Sequence, residues 1–349
     1  MIPSALLGVI LHAIGGFAAG SFYAPLKAVR GWAWESFWLV MGIAAWIGAP
    51  WIVAWITTPH LLEVIRGTSE TTLFWTFLFG LLWGIGGLTF GLTMRYLGIA
   101  LGMAVALGFC MTFGTLIPPI FKGEMGSIVS SVSGAVILLG VATCLVGIAL
   151  CGWAGVCKES ELTKAQQQAA IAEFALGKGF AVATVSGILS ACFAFALAAG
   201  APIADNALKY GTDSLFKNNA VLVVILLGGF TTNAVWCLAL NVWNDSFRDY
   251  VKGPAGRQAL NYFLSALGGV IWYGQFFFYG MGTTKLGEKY GFSSWSIHMA
   301  FIIVFSNLWG IVFHEWQGTS AHTKLRVWLG ILTLIVSTMI IGYGNYLAG

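Results

Sequence analysis

Charge is missing from ten long stretches of this chain, and that absence restricts the fold more than any motif does. Asp, Glu, Lys and Arg do not occur in residues 1–26, 36–62, 71–94, 96–121, 125–157, 179–204, 218–244, 258–284, 290–314 and 327–349. A helix needs about 20 apolar residues to cross the hydrocarbon core of a bilayer, so each stretch has room for one span. Transmembrane strands would give short alternating segments, which are not seen. The expected class is an all-α polytopic membrane protein with ten transmembrane helices. Composition agrees, since only 9% of residues are charged, against about 25% in soluble domains.

The ten stretches are related to one another. The pattern G-x2-W-x7-G-x5-L-G occurs as Gly80, Trp83, Gly91, Leu97, Gly98 and again as Gly269, Trp272, Gly280, Leu286, Gly287. A second echo pairs Gly140, Thr143, Val146, Gly152 with Gly330, Thr333, Val336, Gly342, and a weaker one pairs Gly16, Phe22 with Gly187, Phe193. Repeated hydrophobic halves mark transporters whose binding site lies between the repeats. The expected units are residues 1–154 and 179–349, five spans each, joined by a polar linker at 155–178 that reads as a short surface helix. Five is odd, so the halves enter the membrane in opposite senses and the repeat is inverted.

The loops suggest an orientation. Alternate loops hold eleven basic residues (Lys27, Arg30, Arg95, Lys158, Lys164, Lys178, Arg248, Lys252, Arg257, Lys324, Arg326) against six (Arg66, Lys122, Lys209, Lys217, Lys285, Lys289). The positive-inside rule puts the first set in the cytoplasm and both termini outside. The first Lys is Lys27, so the first stretch lacks a basic leader region and reads as a retained helix. The basic residues are scattered, which gives no footprint for nucleic acid. No C-x2-C pair occurs among the six cysteines, so neither a zinc site nor a disulfide framework is indicated.

Titratable groups at membrane depth each require a functional hypothesis. His12 and His298 lie well inside uncharged stretches, and either can carry a coupling proton, contact substrate, or serve as a neutral interhelical bond. Neither has a counterpart in the other half. Trp272, Gln275 and Tyr279 follow i, i+3, i+7 spacing and share a helix face. An indole plane, an amide and a phenol suit a neutral polyol, with interhelical packing as the alternative. Asn233 and Trp236 form a similar pair. Glu35 and Glu315 sit at span boundaries, as protonatable gate residues or as solvated helix ends. Asn307 reads as a helix contact, Arg95 as a positive-inside anchor, and Trp32, Trp34, Trp38, Trp51 and Trp55 as interfacial anchors. No hydrolase, metalloprotease or nucleotide-binding motif is present, so catalytic residues, a metal and a cofactor are not expected, and transport must run on a gradient.

Several blocks carry a family likeness: Phe22-Tyr23-Ala24-Pro25-Leu26-Lys27 with Trp32-x-Trp34-Glu35, Trp83-Gly84-Ile85-Gly86, Gly91 through Gly98, Gly114-Thr115-Leu116, Gly268-Gly269 with Trp272-Tyr273 and Gln275 through Tyr279, Ser294-Trp295 with His298-Met299, and Glu315-Trp316. Together with His12 they resemble the L-rhamnose–proton symporter family, a branch of the drug/metabolite transporter superfamily. The likeness covers nearly the whole chain and is weakest in the linker and over 201–257. It implies uptake of L-rhamnose or a related neutral 6-deoxyhexose with inward proton flow, by alternating access, in a bacterial cytoplasmic (inner) membrane. On that reading Trp272, Gln275 and Tyr279 touch sugar, and His298 and His12 handle sugar or proton. Export of metabolites or drugs, sodium coupling, and a membrane-embedded enzyme are the alternatives.

Overall fold

The structure, a computed structural model, describes residues 4–97, 99–161, 176–287, 291–314 and 316–348. All regular structure among the described residues is helical. The long helices are α1 (Ser4–Ser21), α2 (Trp34–Thr57, in three segments), α3 (Glu70–Leu97), α4 (Ile99–Phe121), α5 (Val132–Ser160), α6 (Leu176–Ala199), α7 (Asn219–Trp243), α8 (Ala255–Leu286), α9 (Ser293–Val312) and α10 (Ala321–Tyr346). The expected helix of the linker falls on 162–175, outside the described residues, as do Glu315, Gly98 and the side chain of Arg95. α5 itself runs on to Ser160.

Nine candidate spans among the described residues are long and apolar enough to cross a membrane, and α8 is not one of them. At 32 residues α8 is the longest helix among the described residues, about 48 Å at 1.5 Å per residue, so length does not disqualify it. Its composition does. Asn261 pairs with Arg30, accepting from its backbone N–H and donating to its carbonyl, and the Gln258 amide oxygen accepts from the Trp32 indole. These polar groups are satisfied by protein, which is how a spanning helix tolerates them.

Local chemistry explains the breaks. Ser131 caps α5 by accepting from the Gly134 N–H, and Ser320 caps α10 by accepting from the Thr323 N–H. In α2, Pro50 lacks an N–H and its ring crowds the carbonyl one turn back. The helix widens into a π-helical segment, Ile43–Gly48, the usual way to absorb such a defect. This segment carries Trp46. Packing joins α1 to α8 and α9, α6 to α3 and α4, α7 to α3, α2 to α8, and α5 to α10. Small residues allow the close approaches: a Cβ on Gly15 would lie 2.9 Å from the carbonyl of Gln275 and 3.3 Å from the His298 ring.

Candidate functional site

A cavity of about 1110 Å³ opens between the helices. It is bordered by the last turns of α1, the second halves of α3, α5, α7 and α9, and the first half of α4. All of these lie toward one end of the bundle, and from them the cavity reaches inward to Ser190 of α6, Gln275 of α8 and Trp295 and His298 of α9. The other end is closed: Ala220 through Leu226 of α7 are all buried, as are Ser293 through Ala300 of α9. Of the described lining residues only Lys158 and Glu159 are charged, at the C-terminal end of α5.

Aromatic rings build the inner wall. Trp272 lies 5.8 Å from Trp83 with the ring planes at 28°, and meets Trp46 edge-on at 5.0 Å and Phe276 at 4.8 Å. Gln275, 6% exposed, is one turn further along α8. Its amide borders the cavity with no protein hydrogen-bond partner among the described residues. An unpaired amide beside an indole face is the arrangement that takes a hydroxylated ligand: the amide bonds hydroxyls while the rings cover C–H surface.

The two histidines, distant in sequence, come together. Their ring centroids are 5.9 Å apart, and Tyr279 packs against both, at 5.3 Å from His12 and 5.0 Å from His298. Both are 0% exposed, and none of their four ring nitrogens has a hydrogen-bond partner among the described residues. Leaving a buried polar group unpaired costs about 1–3 kcal/mol, so four such atoms in one place call for a functional explanation. His298 borders the cavity, whereas His12 and Tyr279 lie beyond it toward the closed end. Tyr279 shares a helix with Trp272 and Gln275 but is packed between imidazoles instead of facing the cavity.

The remaining expected residues divide. Asn233 and Trp236 border the cavity; Asn233 accepts from the Trp38 indole at 3.2 Å and donates to the carbonyl of Gly229. Asn307 also borders it, with its amide donating to Ile303 of its own helix. Glu35 does not. It is buried, accepting from Ser246 at 2.7 Å and from Asn244 at 2.9 Å, so it ties the start of α2 to the chain that follows α7 and is not a solvated helix end. Trp55, 64% exposed, suits an interfacial anchor; Trp34, 38% exposed, suits one too while also bordering the cavity, and the half-buried Trp38 belongs to the cavity wall. Trp46 and Trp295, which also border the cavity, were missed as site residues; Trp46 lies in mid-span, away from helix ends, which was an available signal, whereas Trp295 stands in the first turn of α9 and gave none.

Comparison with known proteins gives a consistent result. A family described as L-rhamnose-proton symport protein (RhaT) matches residues 1–347. The chain is 36% identical to an L-rhamnose-proton symporter of Mannheimia succiniciproducens over 98% of both chains. It is 37% identical to one of Cronobacter sakazakii over 97% of both, and 34% identical to one of Yersinia pestis over 97% of this chain and 98% of that one. With a match over nearly its full length and a tryptophan-walled cavity between its helices, the chain belongs to the L-rhamnose-proton symport protein family, whose members are transporters and not enzymes.

Proposed function

We propose that this protein imports L-rhamnose, or a related neutral 6-deoxyhexose, together with protons by alternating access. The observation that carries the reading is the amide of Gln275, unpartnered among the described residues, beside Trp272 in a cavity whose only charged lining residues among those described stand at its opening. A neutral sugar needs no ionic clamp, and its methyl group is accommodated by rings. The names of the full-length relatives support the same substrate and the same coupling ion. Trp272 and Gln275 contact sugar, with Asn233 and Trp236 at the periphery of the site.

The scaffold is read as ten spans in two inverted halves, 1–154 and 179–349. Helix pairings support this: α1 with α8 and α9 is matched by α6 with α3 and α4, and α2 with α8 by α7 with α3. The repeat residues support it as well. Gly140 packs against Ile341, and its mate Gly330 packs against Cys151, which is itself the mate of Ile341. The membrane is read as the bacterial inner membrane with both termini outside. The cavity then opens where odd-numbered helices end, on the side carrying the larger share of basic residues, which makes this an inward-open state.

His298 at the cavity wall and His12 beyond it form the proton site. Two like charges about 6 Å apart repel by roughly 3 kcal/mol at an effective dielectric of about 20, which favours one proton on the pair. His12 faces the closed end and His298 the open end, so alternate closure offers the proton first to one bulk phase and then to the other. The test is uptake of labelled L-rhamnose into proteoliposomes under imposed proton or sodium gradients. Accumulation driven by protons in wild type and lost in the His12→Ala, His298→Ala double variant is expected. Sodium-driven accumulation, or full proton-driven accumulation in the double variant, overturns the coupling assignment.

A further inference from the structure

Four glycines of α3 fall within two turns, and they do not share one physical reason. A Cβ on Gly80 would run into the carbonyl of Ile225, one on Gly84 into the Thr232 hydroxyl, and one on Gly86 into the backbone of Ser190. Close approach of α7 and α6 requires those three. A Cβ on Gly87 would meet no heavy atom within 4 Å. Gly87 does not adopt a positive φ, and glycine in a helix interior is less favourable than alanine. Neither packing nor backbone conformation accounts for it.

Gly87 is instead exposed in mid-helix and borders the cavity one turn from Trp83. The repeat supplies its opposite number, Phe276, which stands four residues after Trp272 as Gly87 stands four after Trp83. Phe276 is buried against Phe193 at 4.4 Å, Trp272 at 4.8 Å and Trp83 at 5.5 Å. One copy fills this position with a ring, and the other leaves it hollow.

We propose that Gly87 is a specificity-determining residue: its missing side chain leaves the hollow beside the Trp83–Trp272 stack in which the pyranose ring of the substrate lies. The buried, unpartnered amide of Gln275 bordering the same cavity supplies the polar contact such a ring needs. This inference rests on the sugar-transport reading above.

Purified Gly87→Ala, Gly87→Val and Gly108→Ala variants test it by thermal unfolding in detergent and by equilibrium binding of L-rhamnose. Gly108 on α4 is the control, since its Cβ would make an ordinary 3.9 Å contact with Ile148 and it does not border the cavity. Gly87→Ala should unfold at a higher temperature than wild type yet bind L-rhamnose about tenfold more weakly, because an added methyl takes the ligand's space. Gly87→Val should bind more weakly again. Gly108→Ala should gain stability and bind as wild type does. Gly87→Ala that binds like wild type, or that unfolds at a lower temperature, overturns the proposal. Absence of L-rhamnose binding in wild type overturns the substrate reading beneath it, which separates the two failures.

Discussion

α3 and α8 carry the same G-x2-W-x7-G-x5-L-G residues and use the intervals between them in different ways. Two of the shared pairs do the same work in both helices. Gly80 lets α3 touch the backbone of α7 at Ile225, and Gly269 lets α8 touch the backbone of α2 at Met41. Trp83 and Trp272 then face one another across the stack. The positions that differ part company. α3 places Gly86 against α6, whereas the matching residue on α8 is Gln275, whose amide borders the cavity. α8 alone of the two reaches both histidines, through Tyr279. The two helices thus share residues that pack and differ where α8 borders the cavity.

The comparison breaks most severely at the shared glycines. Gly80→Val and Gly269→Val should each misassemble the bundle, at or above the upper end of the roughly 1–3 kcal/mol that overpacking costs. The measurement is the yield of monodisperse protein in size-exclusion chromatography. Recovery of either variant at wild-type yield would mean that the shared residues are not scaffold.

The histidines come next, since only the α8 copy touches them. His298→Gln should fold and carry rhamnose down its gradient but fail to concentrate it, with little remaining proton uptake in a pH-dye assay. Unchanged accumulation would return His298 to a packing role. Gln275→Ala should have a smaller effect. Losing one hydrogen bond to a neutral hydroxyl is worth about 0.5–1.5 kcal/mol, so sugar affinity should fall about threefold to tenfold while the unfolding temperature stays near that of wild type. A large drop in stability instead would make Gln275 interhelical glue.

The smallest effect lies outside both copies. Glu161 accepts from the Ser320 N–H and hydroxyl and from the Thr323 hydroxyl, each at 2.7 Å, tying the end of α5 to the start of α10. The Ser320 and Thr323 bonds, with Arg326 nearby, hold its carboxyl below the usual glutamate range. A depressed carboxylate stabilises the fold above its unfolded pKa, and that contribution disappears as pH falls through the folded value. Glu161→Gln should therefore lower the unfolding temperature slightly at neutral pH and not at all at acid pH. A pH-independent difference would remove the carboxylate from the account.

Residues differ in how legible they were. His12 and His298 stood out because an ionisable group in an uncharged stretch is conspicuous, yet nothing in the sequence placed them 5.9 Å apart. Trp272 and Gln275 were found by helical spacing, and the same spacing put Tyr279 with them. The cavity wall passes Gln275 and leaves Tyr279 behind, because a helix face that borders a cavity at one level packs against neighbours a turn later. Trp38 read as an interfacial anchor from its position near a span end, and it joins the cavity wall because α2 lies against the cavity. α8 fell short of the apolarity of a span for the same reason that it matters: its polar residues face protein or cavity.

Sequence alone determined that the chain is helical, that it is built for a bilayer, and that residues of one half recur in the other. These follow from counting charges and recurrences, because a single Asp or Lys at membrane depth costs kilocalories wherever it points. Only the tertiary structure decided which tryptophans form a wall, which amide is left without a partner, and which glycine packs and which leaves room. Lipid tails and helix interiors are equally apolar, so hydropathy cannot tell a buried face from a lipid-facing one. The role of a glycine is written on the helix opposite it, and Gly86 and Gly87, adjacent in the chain, face a neighbouring backbone and an open cavity.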